Sequence, residues 1–231
     1  MGERQERIRV EIHVHTAFSF DSKAAPEEVE EAALRAGVDR IAVTDHDTIE
    51  GALRLRGRGR IETIIGEEVT TSLGDVIGLF LESPLPPGVE PERTMDAIHE
   101  QGGLVVIPHP FDARRGTTLF PEALERCVDR IDAIEGWNGR IRRPADNERA
   151  LLFARDHGLP VLVGSDAHRT DEIGRWMMRI ESFDSPGRFL AALPRAEPLF
   201  PESSRKPERR RWLDRVLRNG APTARPEPDR G

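Results

Sequence analysis

The stretch Ile8–His15, IRVEIHVH, carries two messages at once. Ile8, Val10, Ile12 and Val14 alternate with other residues at the period of a β-strand, in which successive side chains point to opposite faces. At its end stand His13 and His15, whose i, i+2 spacing turns both imidazoles to one side, where both can reach a single metal ion. Outward from this strand, similar short runs recur as RIAVT (40–44), ETIIG (62–66), DVIGLFL (75–81), GLVVI (103–107), RIDAIE (130–135) and PVLVG (160–164). Between many of them lie helical patterns. PEEVEEAALRAG (26–37) begins with Pro26 at a first helical position, carries acidic residues in its first turn and stops at Gly37; PERTMDAIHEQGG (91–103) and NERALLFARDHG (147–158) follow the same design. Strands alternating with helices predict a parallel α/β fold.

Two segments interrupt the pattern. RLRGRGR (54–60) and LESPLPPGVEPE (81–92) are rich in Gly or Pro and read as surface connections. From Glu202 the composition shifts to Arg, Pro, Glu and Gly, so residues 1–201 are expected to form one domain and 202–231 a basic tail, with a short amphipathic helix around Trp212, Leu213, Val216 and Leu217. No internal repeat is visible.

The chemistry lies at the strand ends. Asp45 and His46 follow the second run, Glu68 the third, His109 the fifth, Glu135 and Asn138 the sixth, and Asp166 and His168 the seventh. In a parallel barrel such ends converge on one face, where loops build a shared site. Capping explains Asp47 and Thr48 near a helix start, but it does not explain five histidines at strand ends. His99 and His157, both on helical patterns, read as surface or packing residues. Imidazole and carboxylate together suit Zn, Mn or Fe, and a glutamate can bridge two ions through its two oxygens.

The stretches EIHVHTAFSFDS, IAVTDHDTIEG, IIGEEVTT, GGLVVIPHPFD, IDAIEGWN and VLVGSDAH resemble, in order and spacing over Val10–Gly174, the PHP (polymerase and histidinol phosphatase) superfamily of metal-dependent phosphoesterases, of the short stand-alone type. The resemblance implies a distorted (β/α)7 TIM-like barrel with two or three divalent ions (Mn, Zn or Fe) at the C-terminal face of its strands. It implies His13, His15, Glu68 and Asp166 at a first metal position, Glu68 and His109 at a second, and Asp21, His46 and His168 at a third. Many relatives supply further histidines to the second position, where this chain offers Asp75 or Asn138. Glu67 competes with Glu68 by one residue, and Glu68 is favoured because it directly precedes the β-branched Val69.

The function so implied is hydrolysis of a small phosphate ester by in-line attack of a metal-bound water, with Asp45, His46 and Asp166 as catalytic residues. Asp45 or an unligated histidine would protonate the leaving group. A nucleotide or nucleoside bisphosphate is the first substrate expectation, histidinol phosphate the second and a short single-stranded oligonucleotide the third. Arg114, Arg115, Arg140, Arg142 and Arg143 fall on loops that should rim the same face, where guanidinium forks bind phosphate oxygens. Trp137 either stacks on a base or packs. An amidohydrolase-type enzyme acting on C–N bonds also uses an HxH pair, but it often carboxylates a strand-end lysine, and Lys23 and Lys206 stand at no such position. A catalytically silent metal-binding module would require losing ligands that are present.

Composition bounds the alternatives. With 34 basic and 41 acidic side chains the net charge is −7, which disfavours sequence-independent binding of long duplexes. No stretch approaches the length of a membrane span, and a single cysteine, Cys127, set in the helical pattern ALERCVDRI, cannot form an internal disulfide. These features lead us to expect a soluble chain in a reducing cytoplasm.

Overall fold

Seven strands close on themselves around the segment IRVEIHV. The computed structural model describes residues 6–201; the helix expected around Trp212 lies outside the described residues. In chain order the elements are β1 (Arg7–Val14), α1 (Pro26–Ala36), β2 (Arg40–Val43), α2 (Glu50–Arg58), β3 (Glu62–Thr71), β4 (Gly74–Leu79), α3 (Pro91–Glu100), β5 (Leu104–Ile107), α4 (Pro121–Arg126), β6 (Ala133–Asn138), α5 (Pro144–His157), β7 (Val161–Ala167), β8 (Met177–Glu181), α6 (Pro186–Ala192) and β9 (Glu197–Leu199). Each of β1 to β6 pairs with the next, and β7 pairs back with β1, which closes the barrel. The opening residues of β1, Arg7–Val10, pair antiparallel with β8, which carries β9 on its far edge. β8 and β9 thus form a side flap outside the closed barrel.

Two expectations are corrected. β4 runs antiparallel to both β3 and β5, because only Ser72 and Leu73 separate it from β3, and such a gap permits a hairpin but no crossover. The barrel therefore has six parallel strands and one reversed strand. The Arg54–Arg60 segment is largely helical: Gly51, Ala52 and Leu55 are buried at helical spacing, Arg58 and Arg60 pair with the buried Glu30 of α1 at 2.8 and 3.2 Å, and α2 stops only at Gly59, whose φ of 66° suits glycine. The Leu81–Glu92 segment is a connection up to the start of α3. Cys127 is buried just after α4.

Alternation sorts the strand residues into two apolar layers. Ile41, Val43, Ile65, Val69, Val76, Val105, Ile107 and Ile134 face outward and pack with Val29, Ala33, Leu55, Met95 and Ile98 of the helices. Val10, Ile12, Ala42, Ile64, Ile77, Leu79, Leu104, Val106, Ala133 and Leu162 fill the barrel floor together with Phe183 and the fully buried Phe189 of α6. Above that floor the inward positions change character. On β3 the inward series Ile64, Gly66 continues to Glu68, while Glu67 faces out and accepts a bond from the Leu85 amide at 2.9 Å. Strand phase thus turns Glu68, and not Glu67, to the barrel interior.

Candidate metal centre

β1 shows how one strand serves both floor and mouth. Val10 and Ile12 belong to the floor, so plain alternation would send His13 outward. Instead the pairing slips on both flanks of β1, between Glu11 and Val14 against β2 and between Ile12 and Val14 against β7, and His13 takes a left-handed φ of 67°. The slip inverts the phase: Val14 joins the outer layer, and His13 and His15 turn into the mouth with ring centroids 5.0 Å apart. His109 (φ 30°) and Asp166 (φ 55°) also occupy left-handed backbone. Such conformations cost about 1–3 kcal/mol each in non-glycine residues and persist where the surroundings over-determine them, which is common at functional sites.

Glu68 is the hub. Its Oε2 lies 2.9 Å from His13 Nε2, 3.2 Å from His15 Nε2 and 3.6 Å from His46 Nε2, and its Oε1 lies 3.0 Å from His109 Nε2. Asp166 Oδ1 stands 3.8 Å from both His13 Nε2 and His15 Nε2. Asp21 Oδ2 meets His168 Nε2 at 2.7 Å and His46 Nε2 at 3.7 Å. Among the described residues, four overlapping groups have ligand atoms within 4.8 Å of one another: His13, His15 and Glu68; His13, His109 and Asp166; His46, Glu68 and Asp75; and His15, Asp21, His46 and His168. Asp75 comes from the start of β4, and because β4 is reversed, that start lies at the mouth.

The donor set fits divalent cations. Asp75 Oδ1 and Oδ2 and Asp166 Oδ1 are buried without a hydrogen-bond partner, a costly arrangement for a protein interior unless a cation satisfies them. Burial and the Glu68 charge push the Asp75 carboxyl up to about 6. Burial lowers the His15 imidazole to about 4, so it stays neutral and keeps a lone pair for a metal. Burial opposes ionisation of Glu68 and Asp166, but the neighbouring His13, joined by His109 and, at Asp166, by Arg115, outweighs it and holds both below the usual carboxylate range. Burial likewise disfavours protonated His13, yet Glu135, Glu68 and Asp166 raise its pKa well above the ordinary value.

A supporting shell fixes the ring orientations. His13 Nδ1 donates to Glu135 Oε1 at 2.6 Å, and His168 Nδ1 donates to the Asp166 carbonyl at 3.0 Å, so each presents Nε2 to the cluster. Glu135 Oε2 accepts from the His109 amide at 2.8 Å. A Cβ on Gly164 would run into this carboxylate, so the inward position of β7 beside Glu135 requires glycine. Ser19 contacts His15 Nδ1 at 3.3 Å, donates to Asp21 at 3.0 Å and accepts from the His46 amide at 3.2 Å. Glu135 was visible in the sequence only as a strand-end acid, and Ser19 only as a small polar residue between two phenylalanines.

Other expected residues move aside. Asn138 donates through its amide nitrogen to Glu135 at 2.9 Å and Asp166 at 3.1 Å, and its oxygen accepts from the Arg140 amide at 2.9 Å. It therefore stands behind the carboxylates and orients them, while Asp75 is grouped with His46 and Glu68. Both Asp45 oxygens are engaged by Thr16, accepting from its amide at 2.5 Å and its hydroxyl at 2.7 Å, so Asp45 braces the loop after β1. Arg115 pairs with Asp166 and Asp112, and Arg140 lies 3.8 Å from Asp166. Arg114, Arg142 and Arg143 are exposed, Arg143 turning towards Asp146 of α5. Trp137 is buried against Trp176 and Phe200, which makes it a packing residue.

A closed α/β barrel with a buried histidine and carboxylate cluster at its mouth is the architecture of a metal-site barrel protein. Comparison with known proteins sharpens this. Residues 144–198 match the family model described as PHP-associated. An uncharacterized protein of Methanocaldococcus jannaschii is 36% identical over 158 residues, which cover 62% of this chain and 90% of that one. The error-prone DNA polymerase of Mycobacterium bovis is 40% identical over 158 residues, 67% of this chain but 12% of the polymerase. A crystal structure of a two-domain Bacteroides vulgatus protein, containing a predicted PHP-like metal-dependent phosphoesterase, superposes with a TM-score of 0.70 at 21% identity, covering 85% of this chain and 65% of that one. The chain belongs to the PHP superfamily. Among the described residues no helix is long and apolar enough to cross a membrane.

Proposed function

We propose that the chain hydrolyses a small phosphate ester, a nucleotide or nucleoside bisphosphate before others, with two or three divalent ions (Mn, Zn or Fe) held in the barrel mouth. The observation that carries this reading is Glu68, whose two oxygens contact four different histidines, as a carboxylate that bridges adjacent ions would. His13, His15, Glu68 and Asp166 would hold one ion, Glu68, His109 and Asp75 a second, and Asp21, His46 and His168 a third. Bound there, divalent ions supply a lowered pKa for the attacking water and neutralise charge on the phosphoryl oxygens.

The chain's own groups do the rest. Glu135 and Asn138 hold His13 and Asp166 in place. Arg115 and Arg140, arriving from two loops beside Asp166, can take the remaining phosphate oxygens through their forked N–H groups. Of the described lysines, Lys23 is exposed and takes no part in the cluster, so Glu68 stands where a carbamylated lysine would bridge in an amidohydrolase. The polymerase relative supports a second substrate, a short single-stranded oligonucleotide, on the same site.

Alanine at His13 or at Asp166 is expected to lower hydrolysis of nucleotide monoesters by at least about a thousandfold and to reduce bound metal. Elemental analysis and a substrate panel of nucleotides, histidinol phosphate and a short oligonucleotide read both effects. Full activity after metal depletion would overturn the proposal.

A further inference from the structure

Phe20 is 80% exposed, the most open of the large apolar side chains in the barrel. A lone exposed apolar residue means little. Its setting gives this one a meaning. The ring stacks on the His46 imidazole, with centroids 4.8 Å apart and planes inclined by 28°. One face is thus covered by a residue of the metal-ligand cluster, and the other face is open to solvent at the same mouth.

The exposure is not that of a loose loop. Ser19, the preceding residue, is buried and tied to His15, Asp21 and the His46 amide, and Asp21, the following residue, is tied to His168 at 2.7 Å. Phe20 is therefore clamped on both sides along the chain, so a flat group landing on it meets a surface already in place and little conformational entropy is lost on contact. Trp137, the aromatic residue best placed by sequence to stack on a base, is packed away.

We infer that Phe20 is a stacking platform for a nucleobase, which makes it a specificity residue holding the base while the phosphate sits over the histidine cluster. The inference rests on the phosphoesterase reading for the position of the phosphate. Every nucleobase has a π-face, so the platform selects for a planar ring and not for one base.

The test is a pair of ligands that differ only in the ring. Adenosine monophosphate and ribose 5-phosphate are titrated by calorimetry into the protein as purified with its metal, into Phe20→Leu and into Phe20→Trp. The wild-type chain is expected to bind the nucleotide about tenfold or more tightly than the sugar phosphate. Phe20→Leu should bring that ratio below about twofold, and Phe20→Trp should keep it. A wild-type ratio near one, a Leu variant that keeps the preference, or a Trp variant that loses it overturns the inference. A flat ratio also is what an aromatic surface serving a protein partner would give. If the phosphoesterase reading alone is wrong, neither ligand is hydrolysed while the ratio still follows the ring at position 20.

Discussion

The floor and the mouth of this barrel are built from the same strands by the same alternation, yet they obey opposite rules. The floor, from Val10 and Ile12 to Phe189, is apolar and fully closed. The mouth, only one to three residues further along β1, gathers buried histidines and carboxylates, leaves Asp75 and Asp166 oxygens without partners, and holds three of its residues in left-handed backbone. Stability is concentrated below and the means for chemistry above, and the slip at His13 is the boundary between them. Substitutions in the two layers should therefore separate stability from activity.

The largest expected effect on stability is in the floor. Phe189 is fully buried and its ring lies 4.9 Å from Phe183 and 5.7 Å from Phe80, so Phe189→Ala should destabilise the chain by about 3–5 kcal/mol. Chemical denaturation reads the loss, and metal content per folded molecule should not change. A loss under about 1 kcal/mol would mean that α6 does not plug the barrel.

Glu11 gives the next effect and sharpens the contrast between carboxylates. It lies on β1 between two floor residues but points to the outer layer, where Oε2 accepts from the Gly174 amide at 2.8 Å and Oε1 has no partner. Unlike Glu68, it has no histidine against it, and burial pushes its pKa from 4.5 up to about 8. As pH rises through 4.5 the unfolded chain releases this proton while the folded chain keeps it, so the contribution to stability falls until about pH 8 and is then flat. Glu11→Gln keeps the acceptor for Gly174 and removes the titration. Its stability relative to the natural chain should improve between pH 5 and 8 by on the order of 3–4 kcal/mol, and an equal difference at both pH values would refute the account.

What the sequence disclosed follows from the physics of pattern. Side-chain alternation and strand-end position are local, so the barrel strands and most members of the histidine cluster could be read directly. Alternation has no direction, so the reversal of β4 was hidden in the run DVIGLFL, and because the expected third run stopped at Gly66 while β3 continues to Thr71, the short Ser72–Leu73 gap that forces a hairpin did not show. Phase is legible only while pairing is regular: β3 runs regularly, and Ile64, Gly66 and Glu68 share its inward face, whereas at His13 the i, i+2 rule gave the right pairing of rings without the slip that turns them inward. Gly57 and Gly59 suggested a loop where the ion pairs of Arg58 and Arg60 with Glu30 hold a helix, a tertiary effect that propensity does not carry. Asn138 and Asp45 stood at strand ends like true ligands, and only their hydrogen bonds separate bracing from binding.

The smallest effect probes the layer between floor and mouth. Glu135 meets the cluster through His13, the His109 amide and Asn138, which also holds Asp166, so it acts on a metal through these neighbours, chiefly by fixing the His13 ring and making Nε2 a better donor. Glu135→Gln preserves size but keeps an acceptor oxygen for only one of the two bonds, puts an NH2 in place of the other oxygen, and removes the negative charge behind the imidazole. Gly164 still leaves room for the side chain, but the new NH2 faces a buried N–H donor, so chemical denaturation should show a loss of about 1–3 kcal/mol. Affinity for Mn or Zn, measured by titration of the metal-stripped protein, should fall by about 10- to 100-fold. Unchanged affinity would make Glu135 a packing residue, and the line between floor and mouth would then run above β6 Glu135 instead of below it.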